Sequence, residues 1–149
     1  MIIKITGFSD SEFNKLLRAK ILAEKFFDTM LHVILDQSRF TYTTHTPEQV
    51  FNHIASNHEN MSATIRPWKP FNPWTSAIAT TFKNKPGEIY INVRKINQRT
   101  VAQYVASLTH EILHLAPLSY GHGSNSPKGK ELSVPYFLGN KAGEWARGK

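Results

Sequence analysis

The sequence predicts an α+β fold, in which helices come first and a small mixed sheet, a motif-bearing helix and a C-terminal helix follow. Three observations support this prediction. Apolar residues recur at helical spacing up to about residue 54, alternate at strand spacing between residues 62 and 93, and return to helical spacing after residue 97. With 149 residues, the chain is long enough to bury a core, and we expect one domain spanning residues 1–149.

The composition excludes several classes of protein. The chain has no cysteine, so disulfides, thiolate zinc sites and cysteine nucleophiles are excluded, and histidine and carboxylate side chains remain as metal ligands. Residues 1–7 are too short an apolar stretch for a signal peptide, and no apolar run approaches the roughly 20 residues that span a bilayer. We therefore expect a cytoplasmic protein without a membrane partner.

The basic charge is a weak indication of function. The formal net charge is +7, and a basic surface can bind nucleic acid. The lysines and arginines are scattered, however, and no nucleic-acid-binding motif accompanies them, so the charge is interpreted as a solvated surface. A nucleic-acid partner remains open, and the oligomeric state is not determined by the sequence.

The first half of the chain contains two helix starts. Ser9 can cap a helix with Glu12 three residues on, and the apolar stripe that follows predicts a helix to about residue 36. Thr46 and Pro47 restart a helix with a cap and a proline in the first turn. The histidines of this half lack a metal-ligand spacing and are interpreted as structural or surface residues; they include His32, His53 and His58.

The middle of the chain predicts three strands, at residues 63–68, 77–82 and 88–93. The third has the clearest alternation and follows a turn at residues 85–87. Residues 67–74 combine two tryptophans with three prolines and predict an ordered, exposed loop. This loop either lines a substrate cleft or covers one edge of the sheet.

The helix after residue 100 carries His-Glu-x-x-His at positions 110–114. Its apolar face is formed by residues at steps of four and three, and His110 and His114 lie one turn apart on another face. Two imidazoles at this spacing can occupy two corners of a tetrahedral zinc site. Glu111 can reach a water bound to that metal and act as its general base.

A site of this kind needs a third protein ligand. Pro117 ends the helix, and His122 follows between two glycines that allow a tight return towards the metal. His122 is therefore the predicted third ligand, with Glu131 as the alternative and Glu144 as a poorer one.

The C-terminal segment, residues 134–147, predicts a final helix that packs on the motif helix, with an interruption near Gly139. Tyr136 and Tyr120 are candidates to donate a hydrogen bond to a tetrahedral oxyanion. The alternative for each is an ordinary core or surface tyrosine.

The sequence His110-Glu111-x-x-His114, followed by a turn and His122, resembles the zincin metallopeptidases, closest to their metzincin-like and SprT-type branches. Residues 78–139 are also similar to small zincin-like metallopeptidases encoded by bacteriophages. The matching features are the strand at residues 88–94, the motif helix, the Gly-His-Gly turn and residues 133–136.

This chain departs from the metzincin pattern in the turn. Metzincins have a glycine three residues after the second histidine and the third histidine six residues after it, whereas this chain has Pro117 and Tyr120 there. His122 lies two residues later. The cysteines of a SprT-type zinc ribbon are missing, and no methionine follows the turn. The resemblance implies that residues 133–136 lie beneath the metal, at the place where metzincins have that methionine.

The resemblance implies a zincin-like fold with a Zn²⁺ cofactor that hydrolyses protein or peptide substrates, in the host cytoplasm if the chain is phage-encoded. It also implies that residues 88–93 form an edge strand, where Ile89, Tyr90 and Ile91 bind the substrate by strand addition. Two alternatives remain: a zinc hydrolase of a non-protein amide such as a cell-wall peptide, and a non-catalytic zinc-containing module that binds nucleic acid or a host protein.

Overall fold

Four helices and a four-stranded sheet make up the structure, a computed structural model that describes residues 1–123 and 129–149. This arrangement confirms the predicted α+β fold. The helices are α1 (Asp10–Thr29), α2 (Pro47–Asn57), α3 (Val101–His114) and α4 (Val134–Ala146). The strands are β1 (Ile2–Ile5), β2 (Ser62–Trp68), β3 (Ala79–Thr80) and β4 (Glu88–Asn92). Short 3-10 turns lie at Leu31–Asp36, His58–Asn60, Val93–Gln98 and Lys130–Leu132.

The sheet is mixed, as predicted, with the strand order β1-β2-β4-β3. The β1–β2 and β2–β4 pairs are parallel, and the β3–β4 pair is antiparallel. The predicted third strand therefore exists, but its expected position at the sheet edge is wrong. Its Ile89 and Ile91 are fully buried, as expected for an interior strand. The short strand β3 occupies the edge instead.

Capping boxes define where three of the helices begin. Ser9, Thr46 and Thr100 each form a capping box with the residue three positions later. Helix α1, however, ends at Thr29 rather than near residue 36, and a 3-10 turn continues the chain. This turn contains residues of weaker helix propensity, among them Val33. Its Leu31 and Ile34 are still buried, so apolar residues at helical spacing continue beyond the end of the α-helix.

Helices α3 and α4 pack closely because glycines of α4 face α3. A Cβ at Gly143 would lie 2.9 Å from the Cβ of Ala106, and one at Gly139 would lie 2.9 Å from the carbonyl oxygen of Ala106. The predicted interruption of α4 at Gly139 is therefore wrong. The helix is continuous, and the glycine provides room for the neighbouring backbone. None of the helices in the described ranges has the length and apolar character needed to cross a bilayer.

Candidate metal centre

Helix α3 presents two histidines on a different face from its most deeply buried residues. Its Val105, Leu108 and Ile112 are buried, which fixes the rotation of the helix. His110 and His114 lie one turn apart and are only partly buried. Their Nε2 atoms are 3.1 Å apart, so both rings point to the same place.

The third histidine arrives from the turn that follows α3. His122 brings a ligand atom into a cluster with His110 and His114, in which all three ligand atoms lie within 4.8 Å of one another. Gly123 follows in the left-handed region, at a φ of 70°, and a Cβ there would lie 2.9 Å from the Tyr42 ring. A glycine is thus required directly after His122.

The structure places the two glutamates that were alternatives for the third ligand outside this cluster. Glu131 lies exposed on the 3-10 turn before α4. Glu144 is on the solvent side of α4, where its carboxylate lies 3.7 Å from the ammonium of Lys141. Within the described residues, the three histidines are the group with metal-ligand geometry.

Backbone carbonyls orient all three rings. A carbonyl can only accept a hydrogen bond, so a ring nitrogen that contacts one carries the proton and the other nitrogen keeps its lone pair. Such partners fix the tautomer of histidines that bind metals. The carbonyl acceptors are those of Tyr120 for the Nδ1 of His114 (2.7 Å), Gly123 for the Nδ1 of His122 (2.7 Å) and Pro135 for the ring of His110.

The donor set fits a metal ion. With the His114 proton on Nδ1, the Nε2 lone pair of His114 faces the Nε2 of His110 across 3.1 Å. A cation between two such nitrogens would satisfy both lone pairs. Metal–nitrogen bonds of about 2.0–2.1 Å in a tetrahedral site place neighbouring nitrogens about 3.3 Å apart, close to the separation of these two Nε2 atoms. The cluster could therefore hold a metal ion of the kind that imidazole ligands favour.

Burial favours the uncharged form of His110 and His114. It lowers the pKa of His110 to about 3, with further contributions from His114, His122 and Lys130. Burial also lowers the pKa of His114, against the opposing hydrogen bond to the Tyr120 carbonyl. Neutral imidazole is the form that binds metals, so these two rings are ready to act as ligands near neutral pH.

Glu111 lies next to the cluster and is nearly enclosed by protein. Its exposed fraction is 8%, and burial raises the pKa of its carboxyl group to about 7, against an opposing hydrogen bond from Thr81. Thr81 directly follows β3, so the edge of the sheet contacts the carboxylate. Sequence reasoning did not identify this partner.

A cleft of about 390 Å³ opens beside His110 and Glu111. One wall is formed by residues 76–79, which lead into β3, and the other by α3 and α4. Tyr136 of α4 lines this cleft, and its ring centroid lies 4.5 Å from that of His110 and 4.8 Å from that of His122. The cleft therefore reaches the cluster at His110.

Tyr120 has a different setting. Its side chain is 5% exposed, and its hydroxyl lies 3.0 Å from the Nδ1 of His45. Burial raises the pKa of the Tyr120 hydroxyl to about 12. Its carbonyl contacts His114, whereas its ring packs against the rings of His45 and His53.

The predicted substrate-binding residues of β4 do not border the cleft. Ile89 and Ile91 are fully buried, and the Tyr90 hydroxyl donates a hydrogen bond to Glu88. The prediction that these three residues form an edge is therefore wrong, because β3 pairs along the outer side of β4. The strand-side wall of the cleft is formed by residues 76–79 instead.

Comparisons of this chain with protein-family models, with curated proteins and with solved structures find no match. The site is therefore characterised by its geometry alone. It is a three-histidine cluster that could hold a metal ion, with one carboxylate beside it and a cleft on one side.

Proposed function

We propose that the protein is a zinc-dependent metallopeptidase of the zincin type. The observation that supports this most strongly is the convergence of His110, His114 and His122 next to Glu111, at the wall of an open cleft. A purely structural metal site is normally closed by four protein ligands. Here three histidines form the cluster, and a carboxylate lines the cleft beside it.

The three histidines would hold the zinc ion through the nitrogens that face one another. Bound there, zinc would polarise the substrate carbonyl and lower the pKa of water. The carbonyls of Tyr120 and Gly123 hold the rings of His114 and His122 in the required tautomer.

Glu111 is the proposed general base. It accepts a proton on a carboxylate oxygen as the water oxygen attacks the carbonyl carbon of the scissile bond. When the carbon–nitrogen bond breaks, Glu111 returns this proton to the leaving nitrogen. Its position in the cleft wall, directly after His110, supports this role.

Tyr136 is the proposed donor to the oxyanion. Its ring contacts that of His110 and lines the cleft, and a hydroxyl donor in this region can stabilise negative charge that develops on the carbonyl oxygen. Tyr120 is the weaker candidate because its hydroxyl is already engaged with His45.

An extended substrate would add to the free side of β3. This strand is the sheet edge beside the cleft, and an exposed edge offers backbone hydrogen bonds to an added strand. Ala79 thus replaces the residues of β4 as the proposed contact.

The proposal is tested by replacing Glu111 with glutamine. We expect hydrolysis of unstructured proteins and peptide libraries by the zinc-loaded chain to fall by about 100-fold or more, because the base is lost. Zinc content should stay at the parent level. Glu131→Gln is the matched control and should retain full activity, because Glu131 lies exposed outside the cluster.

Two results would contradict the proposal. Full hydrolysis by Glu111→Gln would exclude Glu111 as the base. A zinc-loaded parent protein that cleaves no peptide would exclude the proposed peptidase function. Cleavage of cell-wall peptides alone would favour the alternative, a hydrolase of non-protein amides.

A further inference from the structure

The turn between α3 and His122 is held from the side of α2. The turn begins with Leu115 and returns at Tyr120, whose N–H donates to the carbonyl of Leu113 at 2.8 Å. Ser119 adopts a φ of 54°, which is unfavourable for a residue other than glycine. Contacts outside the turn are therefore needed to stabilise this conformation.

His45 provides the first of these contacts. Its Nδ1 lies 3.0 Å from the Tyr120 hydroxyl, and the two ring centroids are 5.9 Å apart at an angle of 80°. Since the Tyr120 side chain is almost fully buried, this hydrogen bond determines where the ring and its backbone can lie.

His53 of α2 provides the second contact. Its Nε2 lies 3.3 Å from the carbonyl oxygen of Leu118, and the Asn57 amide lies 3.4 Å from its Nδ1. The Asn57 side-chain amide also donates to the His53 carbonyl at 2.7 Å, so its nitrogen faces His53. The ring nitrogen Nδ1 therefore accepts, and Nε2 carries the proton that it donates to Leu118.

These contacts connect to the cluster through the backbone. The carbonyl of Tyr120 accepts the hydrogen bond from His114 that sets the direction of its Nε2 lone pair. Two residues later the same segment delivers His122. A displacement of Tyr120 would therefore move one ligand and rotate another.

We infer that His45 and His53 are positioning residues of the metal centre, which hold the turn so that His114 and His122 meet His110. They do not belong to the ligand cluster itself. The inference rests on the metal binding in the proposed function and is independent of peptidase activity, because it concerns the affinity of the site.

The test measures Zn²⁺ affinity of the full-length chain by competition with a chromophoric chelator. His53→Leu and His45→Leu should each bind Zn²⁺ about 10-fold more weakly, as outer partners of ligands typically contribute 10- to 100-fold. His53→Gln and His45→Asn should stay within about threefold of the parent, because the Gln Nε2 and Asn Nδ2 can replace the ring nitrogens.

A further variant keeps the test decisive if a leucine variant does not fold. Tyr120→Phe retains the ring and removes the hydroxyl that contacts His45, so it should match the expected loss of His45→Leu. Combining Tyr120→Phe with His45→Leu should weaken binding no further, because both remove the same contact. The Co²⁺ absorption spectrum should change in these variants, since it reports ligand geometry, and His32→Leu on the exposed turn after α1 should leave it unchanged.

The possible results separate this inference from the proposed function. Parent-like Zn²⁺ affinity in folded Tyr120→Phe and His53→Leu would overturn the positioning role. A parent protein that binds Zn²⁺ but hydrolyses no substrate would contradict only the proposed peptidase function. A parent that binds no metal would overturn both.

Discussion

Gly139 of α4 lies directly against His110 of α3: a Cβ at position 139 would be 3.2 Å from the His110 Cβ and 2.9 Å from the Ala106 carbonyl oxygen. We therefore predict that Gly139→Ala pushes the two helices apart. It should lower the free energy of unfolding by about 1–3 kcal/mol, the usual cost of overpacking, and weaken metal binding because His110 moves. Urea unfolding and zinc titration measure the two effects.

Asn140→Ala is the control for Gly139→Ala, because it changes helix propensity at the next, exposed position of α4 without a new contact. It should leave stability within about 0.5 kcal/mol of the parent. If Gly139→Ala were as stable as the parent and bound zinc equally well, the close contact between α3 and α4 would not position His110.

The identity of the third ligand is open to a direct test. His122→Ala should lower zinc affinity by more than about 100-fold, because the loss of a ligand exceeds the effect of losing an outer partner. Glu131→Gln should bind zinc like the parent. The opposite pattern, with zinc retained by His122→Ala and lost by Glu131→Gln, would transfer the ligand role to the glutamate.

Asn92 holds the cleft wall. It is 1% exposed, and its amide donates to the carbonyls of Ala77 at 3.0 Å and Thr75 at 3.4 Å. We predict that Asn92→Leu lowers stability by about 1–3 kcal/mol, because two partly buried carbonyls lose the donor that a buried side chain provides. Amide hydrogen exchange in residues 76–80 should accelerate in this variant.

Metal affinity provides the comparison for Asn92→Leu. It should change less than the exchange rates, because the bonds of Asn92 reach the wall and not the histidines. Asn84→Leu, in the exposed turn before β4, should leave the exchange of residues 76–80 unchanged. Equal exchange in Asn92→Leu and the parent would show that the wall does not depend on this side chain.

Tyr104 gives a prediction for alkaline pH. It is fully buried in α3, and its hydroxyl has no hydrogen-bond partner among the described residues. Burial raises the pKa of this hydroxyl to about 12. The unfolded chain ionises near pH 10, so this group's contribution to stability is complete below pH 10 and is lost as pH rises towards 12.

Tyr104→Phe should therefore resist alkaline unfolding better than the parent. At pH 7 we expect the variant to be at least as stable, by up to about 1 kcal/mol, because a buried hydroxyl without a partner is removed. Between pH 10 and 12 its advantage should grow. Urea unfolding at pH 7 and pH 11 measures this, and a variant less stable than the parent at both would contradict it.

Local chemistry made much of the fold predictable. The capping residues Ser9 and Thr46 act on amides three positions away, so the helix starts could be predicted from short stretches of sequence. The strand order could not, because it depends on pairing across long separations, such as Ile65 with Ile89. The strongest alternation belongs to β4, which is interior, while the edge is formed by a strand of only two residues.

The same distinction applies to the candidate site. The clustered histidines come from one helix and the turn after it, so the motif and the two glycines that flank His122 are enough to predict the three of them. The contacts that orient them come from elsewhere: His45 lies 75 residues before Tyr120 in the chain, and His53 lies 65 residues before Leu118. No local pattern marks such partners, so the sequence alone predicts only a structural or surface role for His53.

The closeness of the three histidines in sequence has a consequence for chain entropy. A metal ion held by His110 and His122 would close a loop of only about a dozen residues, and short loops cost little configurational freedom to close. The ion would therefore cross-link only the turn, and it would do little to connect the sheet to the helices. The sheet that contains β1, β2 and β4 must then be stable without the metal. We expect a chelator to loosen the turn before the sheet unfolds.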